Sequence, residues 1–520
     1  MIGMTRTFPS VSAAGTARLL ERYRYALPPD VPTPHPKVDH ERVTTTRSSR
    51  RGRRARGLGW WAVEAPLATT RTTTDQVGGL YPFVASPGVP AVGAPMGYDA
   101  LSGGAFYCHP VEWVLAQFAT NPNVVIFGEP GRGKSSTIAA FVVRMMLFGV
   151  STLIAGDVKG EYGPVVRALG QRPISLGYGQ GTRINPLDLG PLAARWSALS
   201  REEGLDALND LVGRWVPLLG ALCQAQGHAM SATDTEVVSS VLRQLTGVTD
   251  PDSTTTALRP VTIPAVHRVL VEAAEHLWRA HRFAGRQDFL DHLRPLTDTL
   301  GTVVNGPLKG LFDAETTLDV DWTAPIQSLD LSGLEPRGDR ALAVAMTCLG
   351  SWSRSATDLR VDGQLRIIVR DEIWRQMRLG AGMISAVDAE LRLSRSQQII
   401  SVLAAHKPGD LRAVGDTGSQ AVNIAKDLLA LCDTRILMGQ TTAIVDDLAA
   451  ELGLSERELD LVSGWCNGRP GRGLWKVKRA GYQVQTVLSE AEKAVFDTNA
   501  QLRGRTSDAA ERDTSAGQSR

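Results

Sequence analysis

The stretch of sequence that decides the fold is NVVIFGEPGRGKS, residues 123–135. Its first part, Asn123–Phe127, is a short apolar run between turn residues, which is typical of a buried β-strand. Its second part, Gly128–Ser135, matches the pattern G-x-x-x-x-G-K-[ST] at every defined position, and helix-like periodicity follows from Lys134 to Phe148. A glycine-rich loop between a strand and a helix cradles phosphate groups, because backbone N–H groups and the positive helix end converge on the anion. We therefore predict a nucleotide-phosphate site at this loop.

Each type of residue in the predicted phosphate loop has an expected role. Its glycines let the backbone bend towards the phosphates. Lys134 is expected to act in catalysis by neutralising the terminal phosphates of ATP, and the Ser135 hydroxyl is expected to bind Mg²⁺. The full set of predicted nucleotide-binding residues in this region is Gly128, Glu129, Pro130, Gly131, Arg132, Gly133, Lys134, Ser135 and Ser136.

A second predicted strand, Leu365–Val369, leads through Arg370 to a pair of acids. At this position Asp371 is expected to hold Mg²⁺ through water, and Glu372 is expected to polarise the water that attacks the nucleotide. An acid pair at a strand end also serves as a helix cap, and this alternative stays open at the level of sequence. Together with the phosphate loop, the acids predict a Mg²⁺-dependent P-loop ATPase with ATP and Mg²⁺ as cofactors.

Strand and helix patterns alternate along much of the remaining chain. Further strand patterns occur at Ser151–Ala155, Ile326–Leu331, Gln398–Ala404 and Thr434–Met438, and helical patterns at Gly163–Leu169, Ala341–Ser353, Ala386–Leu393 and Asn423–Leu431. Alternating helices and buried-type strands are characteristic of a parallel sheet that helices cover on its faces. The predicted fold class is therefore α/β with a mainly parallel sheet.

One block interrupts the alternation with helical patterns almost throughout, and we predict an all-α insertion there, at residues 191–310. The insertion divides the predicted core into a first part at 76–190 and a second part at 311–485. Residues 1–75 are rich in Arg, Pro and Thr and are expected to be mostly disordered. A C-terminal helix and a disordered tail are expected at 486–520.

The composition narrows the class of protein. A net charge of +2 makes no strong case for nucleic-acid binding by the whole chain, and the run Arg47–Arg56 suits either an anionic partner or a solvated tail. The five cysteines share no C-x-x-C spacing, which indicates burial in a reducing compartment and no metal site. No apolar run reaches the roughly 18 residues of a membrane helix. We therefore expect a cytoplasmic chain that partner proteins hold at the inner face of the cell membrane.

Several further motifs, taken in order, resemble one family. They are D-x-K-G-E-Y at Asp157–Tyr162, N-P-x-D at Asn185–Asp188, G-L-F-D at Gly310–Asp313, the strand end Asp330–Ser332, and D-E-x-W at Asp371–Trp374. This series resembles the ATPases that energise type IV secretion and conjugation machines, within the FtsK–HerA superfamily of DNA and protein pumps. The resemblance covers residues 76–480 and implies a RecA-like core with a helical insertion.

The resemblance also implies a ring of six identical subunits with the nucleotide between neighbours. An arginine from the next subunit then completes the charge of the catalytic site. The candidates for this arginine finger are Arg392 and Arg395 on one side, and Arg469 and Arg472 on the other, with Arg395 and Arg472 as the representatives of the two sides.

Two polar residues are further candidates that follow from the resemblance. His406 stands where the family usually has a threonine–glutamine sensor, so it is a candidate sensor of the γ-phosphate, with an inert loop histidine as the alternative. Gln440 resembles a polar residue that the family places near the nucleotide, and simple burial at a strand end is the alternative there.

The resulting functional prediction is an ATP-hydrolysing ring-motor subunit that powers a type IV secretion or conjugative transfer machine. Its expected partners are other copies of itself, the membrane-complex proteins of that machine, and DNA as one candidate cargo. Two alternatives stay open: a free DNA translocase or coupling-type DNA pump, and a scaffold that binds ATP without hydrolysing it. The intact set of Lys134, Ser135, Asp371 and Glu372 argues against the scaffold.

Overall fold

The computed structural model of the chain describes residues 88–177, 181–190, 192–248, 257–318, 324–358, 365–377, 381–407, 428–441, 444 and 452–496. The predicted disordered segment 1–75, with its arginine run, lies outside these residues. So do the predicted tail beyond residue 496 and the first half of the predicted helix Asn423–Leu431.

Eleven strands of the described chain form one sheet in the order β2-β1-β11-β10-β9-β3-β8-β7-β4-β6-β5. The strands are β1 Ala94–Asp99, β2 Ala105–Cys108, β3 Val124–Phe127, β4 Ser151–Asp157, β5 Ile174–Ser175, β6 Ile326–Asp330, β7 Arg366–Arg370, β8 Ile399–Ala405, β9 Thr434–Met438, β10 Arg472–Val477 and β11 Ala480–Thr486.

The sheet has two parts that differ in strand direction. From β9 through β3, β8, β7, β4 and β6 to β5, every neighbouring pair is parallel, and we call these strands the parallel part. On the other side of β9, the strands β10, β11, β1 and β2 pair antiparallel, and we call them the antiparallel part. The strand β3, which leads to the phosphate loop, is buried at every residue and lies between β9 and β8.

The helices of the described residues are α1 Pro110–Leu115, α2 Lys134–Met145, α3 Gly163–Ala168, α4 Leu192–Arg195, α5 Arg201–Ala225, α6 Ala232–Thr246, α7 Ile263–Glu272, α8 Glu275–Ala280, α9 Arg286–Asn305, α10 Asp339–Asp358, α11 Trp374–Met377, α12 Ala381–Leu393, α13 Glu456–Ser463 and α14 Glu490–Val495. Among the described residues, the helices α4 to α9 follow one another with no intervening strand, and Trp215 and Phe289 are fully buried among them. Capping boxes at Ser200 and Ser231 begin α5 and α6. In each, the serine hydroxyl accepts a hydrogen bond from the N–H of the acidic residue three positions later, and the carboxylate of that residue accepts from the N–H of the serine.

The observed elements confirm the predicted α/β class with its mainly parallel sheet. The six strands predicted from apolar runs are all present in the parallel part, each within two residues of its predicted ends. The antiparallel strands and β5 were not predicted, because β1, β10 and β11 mix polar and apolar residues and β2 and β5 have only four and two residues. The predicted limits of the domains remain predictions.

Two further observations concern burial. All five cysteines are buried and free, as the lack of a spacing pattern predicted. Within the part of the chain that the structure describes, no helix combines the length and the apolar character that crossing a bilayer requires.

Candidate functional site

The predicted site residues come together at one edge of the parallel part. In a parallel sheet all carboxyl ends lie at the same edge, which is where open α/β sheets bind ligands. Phe127 at the end of β3 lies opposite Ala405 at the end of β8, and Arg370 at the end of β7 lies opposite Leu403 of β8. The phosphate loop, His406 and the two acids therefore leave the sheet side by side.

The phosphate loop, residues 128–133, has the backbone that an anion cradle needs. Gly131 and Gly133 have φ angles of 78° and 89°, in the left-handed region that favours glycine. Helix α2 begins directly after Gly133, and no side-chain hydrogen bond caps its N-terminus. Its first N–H groups have no partner within the helix, so they are available to an anion together with the positive end of the helix dipole.

The side chains of the phosphate loop attach it to neighbouring segments. Glu129 Oε1 accepts a hydrogen bond from the backbone N–H of Thr441 at 2.9 Å, and Arg132 Nη1 donates to the carbonyl of Asn467 at 3.1 Å. The N–H of Gly471 donates to the carbonyl of Arg132 at 3.0 Å. A Cβ atom on Gly133 would approach Gly471 N to 2.7 Å, so only glycine fits this contact. Sequence reasoning did not anticipate that the turn before β10 supports the loop.

The two acids that follow β7, Asp371 and Glu372, are called the acid pair below. Both are buried, at 7% and 2% exposure. Asp371 Oδ1 accepts from the N–H of Glu372 at 2.9 Å, and Asp371 Oδ2 accepts from the hydroxyl of Tyr162 at 3.2 Å. Glu372 has a φ of 52°, a conformation that costs a non-glycine residue about 1–2 kcal/mol. The surrounding contacts therefore hold Glu372 in a strained backbone position.

Three side chains contact the carboxylate of Glu372. Lys159 Nζ lies 2.8 Å from Glu372 Oε1, His406 Nε2 lies 3.1 Å from the same oxygen, and Trp374 Nε1 donates to Oε2. Burial acts to raise the pKa of Glu372, but the hydrogen bonds from His406 and Lys159 outweigh it and leave the pKa well below its ordinary value. Glu372 is therefore held as a charged carboxylate.

His406 connects the phosphate loop to the acid pair. Its Nδ1 lies 3.3 Å from Lys134 Nζ, while its Nε2 faces Glu372. An ammonium group can only donate and a carboxylate can only accept, so this chain of contacts fits the tautomer with Nδ1 as acceptor and the proton on Nε2. Lys134 also donates to the carbonyl of Ala405 at 3.5 Å. The predicted lysine, sensor and carboxylate thus form one continuous polar chain.

Gln440 lies beside this chain at the end of β9. It is fully buried, and its Nε2 donates to the carbonyl of His406 at 2.8 Å. The same carbonyl accepts from the N–H of Gly128, the first residue of the phosphate loop, at 3.2 Å. Gln440 therefore links the loop that carries His406 to the phosphate loop, and a direct contact with nucleotide stays a prediction.

The candidate arginine fingers lie in different surroundings. Arg392 and Arg395 are exposed at the end of α12 and in the turn after it, and Arg392 pairs with Asp388 at 2.7 Å. Arg469 is exposed in the turn that supports the chain's own phosphate loop. Arg472 donates to Gln485 Oε1 at 3.2 Å and lies 4.9 Å over the ring of Trp465. Their action towards a neighbouring subunit remains a prediction.

Two of the family-like motifs connect segments at the borders of the helical block. Asn185 of N-P-x-D donates to the carbonyl of Val261 at 2.7 Å, and Asp188 accepts from the Thr316 hydroxyl at 2.6 Å. In G-L-F-D, Asp313 Oδ2 accepts from the N–H of Gly310 at 3.0 Å. These contacts hold together the segments where the chain leaves and rejoins the core, so they are structural in this chain.

The donor set fits a magnesium nucleotide. The uncapped start of α2 and the ammonium group of Lys134 suit the phosphates. The Ser135 hydroxyl and the Asp371 carboxylate are oxygen ligands of the type that Mg²⁺ prefers, and Asp371 is already oriented by Tyr162. The predicted phosphate, magnesium and water-orienting groups thus lie at one edge of the sheet.

A mainly parallel sheet with a phosphate loop after one strand and an acid pair two strands away has the RecA-like P-loop ATPase fold. No protein-family model and no curated protein matches the chain. Among solved structures, the fold is similar to that of VirB4 of Thermoanaerobacter pseudethanolicus, with a TM-score of 0.61 and 20% identity, covering 78% of this chain and 100% of that chain. Plasmid coupling protein TrwB in complex with ADP and Mg²⁺ matches with a TM-score of 0.47 and 13% identity, over 71% of this chain and 86% of that chain. The first of these similarities confirms the predicted fold.

Proposed function

We propose that the chain binds ATP with Mg²⁺ and hydrolyses the bond to the γ-phosphate. The observation that carries this proposal is the polar chain from Lys134 through His406 to Glu372, at the edge where the phosphate loop and Asp371 also end. Phosphoryl transfer depends mostly on positioning and on neutralising charge, and these residues supply both. The hydrolysis products are ADP and phosphate.

Each residue of the site has a defined task in this proposal. The N–H groups of the phosphate loop and of the first turn of α2 bind the phosphates, and Lys134 neutralises charge on the transferred group. Ser135 and Asp371 hold Mg²⁺, which when bound neutralises the charge that develops on the phosphates. Glu372 orients the attacking water, and His406 acts as the sensor because it contacts both Lys134 and Glu372.

We further propose that the chain is a ring-motor subunit that powers a type IV secretion or conjugative transfer machine. The fold similarity to VirB4 over the whole of that chain supports this proposal, as does the motif series of the sequence. In a ring of six, an exposed arginine such as Arg395 would reach the nucleotide of the adjacent subunit. Partner proteins of the machine would hold the ring at the inner face of the cell membrane.

The test is a measurement of phosphate release with and without DNA, for the native chain and for Glu372→Gln. The proposal expects hydrolysis by the native chain, little change with DNA, and a loss of about 100-fold or more in the variant. Hydrolysis that DNA strongly stimulates would instead support a DNA translocase. If both proteins release phosphate only at the background rate, the chain is a nucleotide-binding scaffold.

A second measurement addresses the ring. The mass of the assembly is determined by analytical ultracentrifugation with and without a non-hydrolysable ATP analogue, for the native chain and for Arg395→Ala. We expect a hexamer with the analogue present, and an Arg395→Ala hexamer that binds ATP normally but hydrolyses it slowly. A protein that hydrolyses ATP at full rate as a monomer would contradict the ring and the arginine finger together.

A further inference from the structure

The loop from Asp157 to Tyr162, between β4 and α3, contacts both members of the acid pair, and we call it the brace loop. Lys159 Nζ lies 2.8 Å from Glu372 Oε1, and the Tyr162 hydroxyl donates to Asp371 Oδ2 at 3.2 Å. Strand β4 is the parallel neighbour of β7, so the brace loop and the acid pair leave the sheet at adjacent strand ends. The D-x-K-G-E-Y motif thus encloses the two acids from one side.

The brace loop is shaped by its own residues and by β6. The Asp157 carboxylate, 1% exposed, accepts from the N–H groups of Glu161 at 2.9 Å and Tyr162 at 3.0 Å, and the Asp157 carbonyl accepts from the N–H of Leu331 at 2.9 Å. Gly160 has a φ of 70°, which favours glycine at the turn. These bonds do not involve the acid pair. The loop is therefore a fixed support from which Lys159 and Tyr162 can position other groups.

Lys159 is the cationic partner of a largely buried carboxylate. The side chain of Glu372 is 3% exposed, whereas that of Lys159 is 42% exposed. A buried carboxylate without a partner is costly and would turn towards water. The ammonium group enters from the solvent side and, together with Trp374 and His406, holds the Glu372 carboxylate in one orientation.

Tyr162 has a different effect on Asp371. Its neutral hydroxyl is fully buried and donates to Oδ2, while the N–H of Glu372 donates to Oδ1. The two bonds fix the plane of the Asp371 carboxylate. A carboxylate with a fixed plane loses less rotational freedom when it binds a metal. The hydrogen bond from Tyr162 should therefore strengthen Mg²⁺ binding more than it raises kcat.

We propose that Lys159 and Tyr162 are positioning residues for ATP hydrolysis, Lys159 by orienting Glu372 and Tyr162 by orienting Asp371. This inference rests on the proposed function of the acid pair. It assigns the two residues separable effects, because one acts through the group that orients water and the other through the group that holds Mg²⁺.

The experiment compares Lys159→Met, Lys159→Arg and Tyr162→Phe with the native chain, and with Lys309→Met as the control for loss of an exposed lysine. Steady-state hydrolysis gives kcat, KM and the Mg²⁺ concentration for half-maximal rate. Equilibrium binding of a fluorescent ATP analogue gives Kd independently of turnover. Thermal unfolding of each variant verifies that the fold is intact.

We expect Lys159→Met to lower kcat by about 10- to 100-fold while Kd stays within about twofold of the native value, since a misplaced catalytic group costs rate rather than affinity. Lys159→Arg should recover most of kcat, because a guanidinium group also pairs with a carboxylate. Tyr162→Phe should raise the half-maximal Mg²⁺ concentration several-fold with little change in kcat at saturation. Lys309→Met should match the native chain.

A Lys159→Met protein with native or higher kcat would overturn the role of Lys159 while leaving the proposed ATPase function intact. A lower kcat together with a higher Kd, in Lys159→Arg as much as in Lys159→Met, would show a structural role and would also overturn the inference. A Tyr162→Phe protein with native Mg²⁺ dependence would remove Tyr162 from it. Failure of the proposed function has a different signature, because the native chain itself would then hydrolyse no more ATP than Glu372→Gln.

Discussion

The parallel and antiparallel parts of the sheet share one hydrogen-bonded surface but contribute differently to the site. In the parallel part, the strands β3, β8, β7 and β4 end at the same edge and deliver the phosphate loop, His406, the acid pair and the brace loop there. In the antiparallel part, neighbouring strands end at opposite edges, so their loops do not gather at one place. Its connection to the site is the turn at Gly471, which bonds to the phosphate loop.

The interior of the antiparallel part shows what it contributes instead. Phe106 of β2 packs against Trp475 of β10 with ring centroids 5.1 Å apart, and against Tyr482 of β11 at 5.4 Å. Trp113 of α1 joins the same cluster at 6.3 Å from Phe106. These residues come from both ends of the described chain. The parallel part therefore positions the catalytic groups, while the antiparallel part completes the hydrophobic core and supports the phosphate loop through the turn before β10.

The largest expected effect tests this difference in role between the two parts of the sheet. It concerns two buried lysines, one in α2 directly after the phosphate loop and one in β10 of the antiparallel part. Lys134 and Lys476 are each 7% exposed, and Lys476 pairs with Glu458 at 3.0 Å. We expect Lys134→Ala to lower the rate of phosphate release by about 10²- to 10³-fold, because it removes charge from the transferred group. Lys476→Ala should destabilise the fold but keep the rate within about threefold of the native value at 25 °C. An equal loss of rate in both variants would contradict this difference in role.

The next test addresses a buried ion pair inside the parallel part. Arg370 lies directly before the acid pair, and its guanidinium contacts the Glu390 carboxylate of α12 at 2.7 and 2.8 Å. Arg370→Met or Glu390→Met should each lower the free energy of unfolding by about 3–5 kcal/mol, because each leaves a buried polar partner uncompensated. The double variant Arg370→Met, Glu390→Met should be more stable than either single variant. Urea unfolding measures all of them, and additive losses in the double variant would refute the coupling.

The matching test in the antiparallel part concerns aromatic packing. Trp475 is 1% exposed, and we expect Trp475→Ala to lower the free energy of unfolding by about 3–5 kcal/mol through loss of buried area and the cavity that remains. Trp475→Phe fills most of that space and should cost clearly less. Urea unfolding followed by far-UV circular dichroism provides the measurement. A Trp475→Ala protein of nearly native stability would show that the antiparallel part does not complete the hydrophobic core.

The smallest expected effect separates support of the phosphate loop from backbone strain. Gly471 and Gly170 have φ angles of 80° and 76°, so alanine at either position should cost about 1–2 kcal/mol of stability. A Cβ atom at Gly471 would also lie 3.3 Å from Gln485 Nε2, whereas one at Gly170 would meet nothing within 4 Å. We expect Gly471→Ala, unlike Gly170→Ala, to raise KM for ATP several-fold. Equal KM values in the two variants would mean that the turn does not support the loop.

Local sequence patterns by themselves determined six of the seven strands of the parallel part and the chemical groups of the site. Each strand of the type Asn123–Phe127 is a continuous apolar run, since both of its faces are covered, and such runs can be recognised without knowledge of their partners. The phosphate loop and the acid pair were predicted for the same reason, because each is a short pattern next to a strand end. Helical patterns predicted the insertion as well, and the resemblance added His406 as a candidate sensor.

Only the tertiary structure decided which of these groups touch. The polar chain from Lys134 through His406 to Glu372 joins Lys134 to residues more than 200 positions further along the sequence, and its order follows from the position of β8 between β3 and β7. Strand order, and the pairing of β1 with β11 and of β9 with β10, depend on contacts between distant segments, which leave no local pattern in the sequence. For the same reason the sequence shows the D-x-K-G-E-Y motif, but only the structure shows that Lys159 and Tyr162 contact the acid pair.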